Sequence, residues 1–243
     1  MPRSERKRSK TGIYHVMVRG VNRQEIFQDG EDSQKYLEIL EHVKNTTGCK
    51  VYGYCLMGNH AHLLIKEGND SISKVMRRIG TSYVRWHNLK YKYVGHLFQD
   101  RYKSECVEED KYIHVVIRYI HQNPVKAGMV CRSEDYKWSS CSAYYSNNEY
   151  PKGLTDTGFI FDLFGEDERA VQKFRKFMDE ENEDKCLEYT IQKEVSDKEI
   201  KEDLNKLLSG KRINSLQYME RKTRNSIIHD IKEITGSSIR ITK

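Results

Sequence analysis

Several features that mark common protein classes are missing from this sequence. No apolar run approaches the ~20 residues that a membrane-spanning helix requires. No apolar stretch follows the basic N-terminus, so a secretory signal peptide is not predicted. The six cysteines are scattered and form no C-x-x-C pair, which argues against structural zinc and a disulfide framework. These absences predict a protein without a membrane segment in a reducing cytoplasm.

Positive charge is scarce in one part of the chain and concentrated in two others. Residues 1–161 carry 25 Lys and Arg against 18 Asp and Glu. Residues 162–203 carry 8 against 15, and residues 204–243 carry 9 against 3. The distribution predicts a basic body, an acidic connector and a basic tail, with a polyanion as partner of the basic parts. An unevenly charged, solvated surface is the alternative interpretation.

The order of the predicted elements indicates an α+β fold. Strands are predicted at residues 13–19, 50–57, 60–65 and 102–107, and helices at 33–47, 71–90 and 110–122. We expect Gly48 to end the first helix, Asp70 or Ser71 to cap the second, and Asn123-Pro124 to end the third or to follow its end. This order belongs to the ferredoxin-like class, with helices packed on an antiparallel sheet. Further helices are predicted at 168–178, 197–208 and 223–234.

A pair of histidines flanks one small apolar residue in the third predicted strand. His60 and His62 are separated by Ala61, directly after a predicted Gly58-Asn59 turn. Because side chains alternate along a strand, both imidazoles project from one face. Two imidazoles that point the same way can hold one metal ion. The pattern therefore predicts a metal site, although a His-x-His pair that stands alone is more often incidental.

The third predicted helix carries a tyrosine and an asparagine beside its apolar face. That face is formed by Ile113, Val116, Ile117 and Ile120. Tyr119 and Asn123 lie four residues apart, so they stack one turn apart at the shoulder of the face. A tyrosine at a cleft edge can be a nucleophile, and an amide oxygen can bind a metal. Tyr112 lies on the same stripe of the helix surface, two turns before Tyr119, and is the rival nucleophile. Gln122 is the rival of Asn123 as the metal ligand.

Residues 71–99 contain no acid, and their cations alternate with aromatic side chains. The cations include Lys74, Arg77, Arg78 and Arg85, and the aromatic residues include Tyr83, Trp86, Tyr91 and Tyr93. Cations contact phosphates, and aromatic rings stack on unpaired bases. The segment therefore predicts contacts with single-stranded nucleic acid, while half of the aromatic side chains are expected in the core.

Four motifs, in this order along the chain, resemble those of the single-tyrosine HUH (His-hydrophobic-His) transposases. They are Arg19–Gln24 (RGVNRQ), Met57–Ile65 (MGNHAHLLI), Gly95–Tyr102 (GHLFQDRY) and Arg118–Gly128 (RYIHQNPVKAG). The branch with the most similar motifs is the REP-associated tyrosine transposases. The resemblance is strong over about residues 8–145 and weak through residues 163–165.

The resemblance implies a domain organisation. We expect a basic arm at 1–10, a catalytic domain with the HUH endonuclease fold at 11–150, an acidic helical connector at 151–203 and a basic helical tail at 204–243. The tail resembles the first helix and turn of a helix-turn-helix. Because the sequence ends at Lys243, before a recognition helix, the tail alone is not expected to read a major groove.

The resemblance also implies roles for single residues. His60, His62 and Asn123 would bind Mg²⁺ or Mn²⁺, and Tyr119 would attack single-stranded DNA to give a 5′-phosphotyrosine link and a free 3′-hydroxyl. The implied partner is single-stranded or hairpin DNA, and a homodimer is left open. The DNA contacts predicted are Arg19, Asn22, Arg23, Lys74, Arg77, Arg78, Arg85 and Arg101.

Two other functions remain open at this point. A non-catalytic nucleic-acid-binding relative of such transposases is the main alternative, and the presence of His60, His62, Tyr119 and Asn123 counts against it. A zinc hydrolase built on the two histidines is weaker, because a third strong ligand and a general-base carboxylate are missing close in the sequence.

Overall fold

A four-stranded antiparallel sheet forms the centre of the protein. The computed structural model describes residues 7–146, 148–165 and 169–187, together with the single residues 220 and 226. The strands are β1 (Ile13–Arg19), β2 (Lys50–Met57), β3 (His60–Lys66) and β4 (Lys103–Cys106), in the order β2-β3-β1-β4. The predicted α+β fold with helices packed on an antiparallel sheet is confirmed.

Helices cover both faces of the sheet. They are α1 (Gly30–Thr47), α2 (Ile72–Lys90), α3 (Asp110–Lys126), α4 (Cys141–Tyr145), α5 (Thr157–Asp162) and α6 (Ala170–Asp179). Single 3-10 turns occupy Val21–Arg23 and Ser133–Asp135. None of the helices in the described part of the chain combines the length and the apolarity of a membrane span.

The alternation of side chains along the strands divides the core into two layers. One layer joins Val16, Val18 and Leu63 of the sheet to α1 and α2. We call this side of the sheet the α2 face. The other layer joins Ile13 and Leu64 to α3, α4, α5 and α6, and we call this side the α3 face. Odd-numbered residues of β1 and even-numbered residues of β3 therefore point toward α3.

The ends of α1 follow from local capping. α1 begins three residues earlier than predicted, because Asp29 and Asp32 form a capping box: the Asp29 side chain accepts from Asp32 N, and the Asp32 side chain accepts from Asp29 N. Gly48 ends the helix as predicted, with a φ of 67° that favours glycine. The strand β2 starts two residues later.

α2 starts and ends where predicted to within one residue, whereas α3 ends later than predicted. Ser71 is the N-cap residue of α2, but its side chain makes no capping bond, and Glu67 Oε1 accepts from Ile72 N instead (2.6 Å). The prediction that Asn123-Pro124 ends α3 is wrong, because the helix continues through Pro124 to Lys126. A proline in the last turn removes only one backbone hydrogen bond, so the turn can still form.

The segment after residue 150 packs against the α3 face. The helix predicted at 168–178 is present as α6, and Ile160, Phe174 and Met178 lie fully inside the core with α3. The compact unit extends to Leu187. The helices predicted at 197–208 and 223–234, the end of the predicted connector, nearly all of the predicted tail and residues 1–6 of the predicted arm lie outside the described residues.

Candidate active site

Three histidines meet on the α3 face of the sheet. His60 and His62 project from β3 toward α3 as predicted, with ring centroids 5.2 Å apart and planes nearly perpendicular. His15 on the adjacent strand β1 points the same way, and its ring lies 5.1 Å from that of His62. The strand register places Met17 and Cys55 on either side of His62, and both are buried. His62 is therefore enclosed by neighbours from both adjoining strands.

Burial keeps His15 and His62 neutral. Burial lowers the pKa of His15 to about 3. Burial lowers the pKa of His62 well below its usual range of about 6.5, and the neighbouring His15 and His60 lower it further. His15 Nε2 and His62 Nδ1 lie 2.9 Å apart, so the two rings share one hydrogen bond. Neutral imidazole is the form that binds metals.

His60 is held by the turn that precedes it. Its Nδ1 lies 2.6 Å from Asn59 Oδ1. The Asn59 amide is itself oriented, because its Nδ2 donates to the backbone oxygen of Arg23 (3.3 Å). The Gly20 amide nitrogen donates to Asn59 O, which joins this turn to the end of β1. The 3-10 turn and the β2–β3 turn thus fix the position of His60 together.

Tyr119 lies against the histidines from the α3 side. Its ring packs edge-on at 5.4 Å from His62 and 5.9 Å from His15. The side chain is almost fully buried, with 4% of the residue exposed. Lys126 Nζ lies over the same ring, 5.6 Å from its centroid. The structure therefore brings the predicted nucleophile and the predicted histidine pair into one site.

Asn123 lies one turn after Tyr119 on α3 and is bonded to its backbone. Its Nδ2 donates to Tyr119 O (2.9 Å), which turns the amide oxygen away from that carbonyl. Within the described residues, no group of three or more His, Cys, Asp or Glu side chains is arranged to hold a metal. The predicted third ligand of a metal bound by His60 and His62 is the Asn123 oxygen, and two imidazoles with one amide oxygen fit Mn²⁺ better than Mg²⁺.

The rival residues of the α3 stripe are engaged elsewhere. Tyr112 donates its hydroxyl to Glu105 on β4 (2.5 Å). Gln122 Nε2 donates to Met178 O (2.7 Å), and its oxygen accepts from Asn182 (2.8 Å). Both side chains tie α3 to neighbouring elements and do not form part of the histidine cluster.

Four of the predicted DNA contacts lie at or near the end of the sheet that carries His60. Arg19 is the cross-strand neighbour of His60 and lies on the same face. Asn22 and Arg23 are exposed on the 3-10 turn, with φ values of 50° and 59°. Arg101 is exposed at the end of the 95–101 loop, which bonds to β1 where Gln99 N donates to Arg19 O. This end of the sheet thus presents cations beside the histidines.

The cations of α2 lie on the opposite side of the sheet from Tyr119. Lys74, Arg77, Arg78 and Arg85 are all exposed on the outward side of α2. Asp70, one residue before the acid-free segment, pairs with both Lys74 (3.4 Å) and Arg78 (3.0 Å). The structure therefore does not bring these four residues to the histidine cluster, and two of them are partly neutralised.

The aromatic residues between these cations divide as expected between core and surface. Tyr83 is fully buried and Trp86 packs against the same core, whereas Tyr93 is 37% exposed. Tyr91 donates its hydroxyl to Asp32 Oδ2 (2.8 Å), so it belongs to the α1–α2 contact. Among these aromatic residues, Tyr93 has the most surface for stacking on a base.

Sequence reasoning missed His15, Asn59 and Lys126 as parts of the site. A single histidine in an apolar strand has no spacing signal, and 47 positions separate His15 from His62. The available signal was its odd-numbered position in β1, which it shares with Ile13 and Met17. Odd-numbered side chains of this strand point to the α3 face. Lys126 was expected beyond the helix, because Pro124 was taken to end it.

The fold and the site together define a class of protein. In this class, an antiparallel sheet carries a pair of histidines on one face, and a tyrosine from a helix packs against that pair. Residues 9–123, which include His60, His62, Tyr119 and Asn123, match the family model described as "Transposase IS200 like". This segment of the chain belongs to the IS200-like transposase family, which implies a DNA-cleaving enzyme.

A solved structure and the curated proteins complete the comparison. The chain is similar to a structure described as "Structure of the REP associates tyrosine transposase bound to a REP hairpin". The TM-score is 0.51 and the identity 20%, over 65% of this chain and 93% of the other. The similarity shows a common fold. No curated protein matches the chain.

Proposed function

We propose that this protein is a single-stranded DNA endonuclease and strand transferase of the REP-associated tyrosine type, with Tyr119 as nucleophile. The observation that carries the proposal is the contact of the Tyr119 ring with His62, 5.4 Å between centroids, beside the His60–His62 pair. A nucleophile next to a pair of imidazoles is the arrangement that metal-assisted phosphodiester transfer needs.

The proposed reaction exchanges one phosphodiester for another. The Tyr119 oxygen forms a bond to phosphorus and loses its proton, while the bond from phosphorus to the 3′ oxygen breaks and that oxygen takes up a proton. The products are a 5′-phosphotyrosine and a free 3′-hydroxyl. A 3′-hydroxyl can later attack the link and release Tyr119. No ATP is needed, because phenoxide, with a pKa of about 10, is both a fair nucleophile and a fair leaving group.

His60, His62 and Asn123 would hold the divalent metal, Mg²⁺ or Mn²⁺. When bound, the metal would polarise the phosphate and stabilise negative charge on its oxygens. Lys126 Nζ lies over the Tyr119 ring, 5.6 Å from its centroid, and packs against the proposed nucleophile. Arg19, beside His60 on the same face, is suited to bind a neighbouring phosphate.

The proposed partner is single-stranded DNA with a hairpin. The similar solved structure is of a transposase bound to a REP hairpin, which supports this partner class. Arg19, Asn22, Arg23 and Arg101 would bind DNA near the histidines, and Lys74, Arg77, Arg78 and Arg85 would bind a distal part of the hairpin. A cytoplasmic location completes the proposal.

A covalent-adduct assay tests the proposal. Labelled oligonucleotides from each strand of the DNA flanking the encoding gene, including any inverted repeat, are incubated with protein and Mn²⁺ or Mg²⁺. We expect native protein to form an adduct that survives denaturing electrophoresis, and Tyr119→Phe to form none. Tyr112→Phe is the matched control, since it removes the rival hydroxyl from the same stripe and should leave the adduct intact.

Two results would contradict the proposal. Equal adduct from native protein and Tyr119→Phe would exclude Tyr119 as nucleophile. Binding of the oligonucleotides that is independent of metal, with no adduct on either strand, would favour the non-catalytic nucleic-acid-binding relative.

A further inference from the structure

A histidine that belongs to no motif is bonded to the proposed metal ligand His62. His15 is completely buried, and its Nε2 lies 2.9 Å from His62 Nδ1. We infer that His15 is a positioning residue that accepts a hydrogen bond from His62 Nδ1 and thereby directs the lone pair of His62 Nε2 toward the metal. The inference rests on the proposed function, because it takes His62 as a metal ligand.

The tautomers available to the pair limit the arrangement. A neutral imidazole has one N–H donor and one lone pair, on different nitrogens. If His15 Nε2 carried the proton, it would donate to His62 Nδ1, and His62 would carry its own proton on Nε2. That nitrogen would then have no lone pair for a metal. Only when His62 Nδ1 donates to His15 Nε2 can His62 bind a metal through Nε2.

The neighbouring ligand is held in the same way by a different residue. Asn59 Nδ2 donates to Arg23 O, so Asn59 Oδ1 is the atom that faces His60 Nδ1 (2.6 Å). An amide oxygen only accepts, so His60 carries its proton on Nδ1 and its lone pair on Nε2. His60 and His62 then present the same nitrogen. Such outer partners fix the tautomer and the ring orientation of metal-binding histidines.

The other nitrogen of His15 supports a functional reason for this residue. His15 Nδ1 is buried, and it has no hydrogen-bond partner among the described residues. A buried polar atom without a partner is uncommon and disfavours folding, whereas an apolar side chain on the same strand would avoid it. The His15 ring also packs edge-on against Tyr119 at 5.9 Å. One buried imidazole thus contacts both a proposed ligand and the proposed nucleophile.

Metal affinity of the full chain tests the inference without measuring catalysis. Mn²⁺ binding is measured by titration with electron paramagnetic resonance. We expect His15→Leu to weaken binding about 10- to 100-fold, because it removes the acceptor. His15→Gln, which supplies an amide oxygen in its place, should bind within about threefold of native. His87→Leu is the matched control, since His87 is a buried histidine on the α2 face, and its affinity should be native.

A spectroscopic measurement covers the case in which His15→Leu does not fold. In native protein with ¹⁵N-labelled histidine and diamagnetic Zn²⁺, we expect protons on Nδ1 of His60 and His62 and none on Nε2 of His15. A proton on His15 Nε2, or native Mn²⁺ affinity in folded His15→Leu, would overturn the inference.

Failure of the inference differs from failure of the proposed function. Native affinity in His15→Leu together with a normal Tyr119 adduct would remove the role of His15 and leave the function intact. Weakened affinity in His15→Leu without any adduct from native protein would support His15 and remove the function.

Discussion

The two faces of the sheet are built from different kinds of side chain. On the α2 face, Phe27, Tyr36 and Tyr83 pack ring against ring at 5.1–5.6 Å within a hydrophobic core. On the α3 face, His15 and His62 are just as buried, but they carry polar nitrogens. Burying a large apolar side chain contributes about 1.5–3 kcal/mol, whereas an unpaired polar atom costs free energy. Buried polar atoms without a partner occur on both faces among the described residues, for example the Tyr36 hydroxyl and His15 Nδ1. The α3 face differs because its buried histidines are clustered against Tyr119.

Loss of a proposed metal ligand should have the largest effect. His60→Ala should lower the adduct rate at least about 100-fold, since loss of even an outer partner of a metal ligand costs about 10- to 100-fold. His60 is only partly buried, so the free energy of unfolding should change little. Adduct formation and urea unfolding are measured on the same preparation.

His42→Ala separates the site from a general effect of losing a histidine. His42 is exposed on α1, on the α2 face. The adduct rate of this variant should equal that of native protein. An equal loss in both variants would mean that the α3 face has no special role.

A steric change at the end of β1 should have the next largest effect. An added Cβ at Gly20 would lie 2.1 Å from the backbone oxygen of Gln24. Gly20→Ala must therefore displace the 3-10 turn that carries Asn22 and Arg23, at a cost of about 1–3 kcal/mol in the free energy of unfolding. Because Gly20 N also bonds to Asn59 O, we expect a weaker DNA complex as well. Urea unfolding and fluorescence anisotropy measure the two effects.

Gly158→Ala is the matched control for Gly20→Ala. Gly158 lies in α5, and an added Cβ there meets nothing within 4 Å. Alanine should stabilise the protein by up to about 1 kcal/mol, because glycine is the poorer helix former. A destabilised Gly158→Ala with an unchanged Gly20→Ala would contradict the steric account.

The sequence predicted the strands and the faces of the site well because both depend on short periodicities. Alternation along β3 was enough to assign His60 and His62 to one face, and i, i+4 spacing was enough to pair Tyr119 with Asn123. Contacts between distant segments were not predictable in this way. His15 is joined to His62 only by strand pairing, and nothing local in β1 marks it.

Local rules misjudged the end of α3, and composition did not show how the cations of the acid-free segment pair. Pro124 was expected to end α3, yet the helix continues, and Lys126 reaches the Tyr119 ring. The acid-free segment was interpreted as a contact for single-stranded nucleic acid, and the structure shows that Asp70, just before it, pairs with two of its cations, Lys74 and Arg78. Composition gives the number of charges, but the fold determines which of them are neutralised.

The cations of α2 test whether DNA reaches the α2 face at all. For Arg77 and Arg85, no ion pair is found among the described residues, in contrast to Lys74 and Arg78. If DNA contacts this face, the double variant Arg77→Ser/Arg85→Ser loses two contacts with phosphates. The logarithm of the DNA-binding constant then depends less steeply on the logarithm of the salt concentration. Each contact with single-stranded DNA contributes about 0.7 to that slope, so its magnitude should fall by about 1.4. At moderate salt this amounts to roughly tenfold weaker binding, measured by fluorescence anisotropy.

Lys74→Ser/Arg78→Ser is the comparison for this double variant. Because Asp70 already neutralises part of their charge, its effect on the slope should be smaller. Slopes equal to that of native protein for both double variants would confine DNA binding to the end of the sheet near His60.

The smallest predicted effect compares the two faces through pH. Burial lowers the pKa of His87 on the α2 face, while the nearby Asp32 acts in the opposite direction. Below the unfolded pKa of about 6.5 the unfolded chain binds the additional proton, so the stability that neutral His87 contributes is present above pH 6.5 and lost as pH falls. The loss is at most about 1.4 kcal/mol per pH unit.

His87→Leu should therefore lose less stability than native protein between pH 7.5 and 5.5, measured by urea unfolding in EDTA. Most of the acid sensitivity should remain in the variant, because the more strongly shifted His15 lies on the α3 face. A variant insensitive to pH would instead locate the acid-sensitive group on the α2 face and contradict the division of roles between the faces.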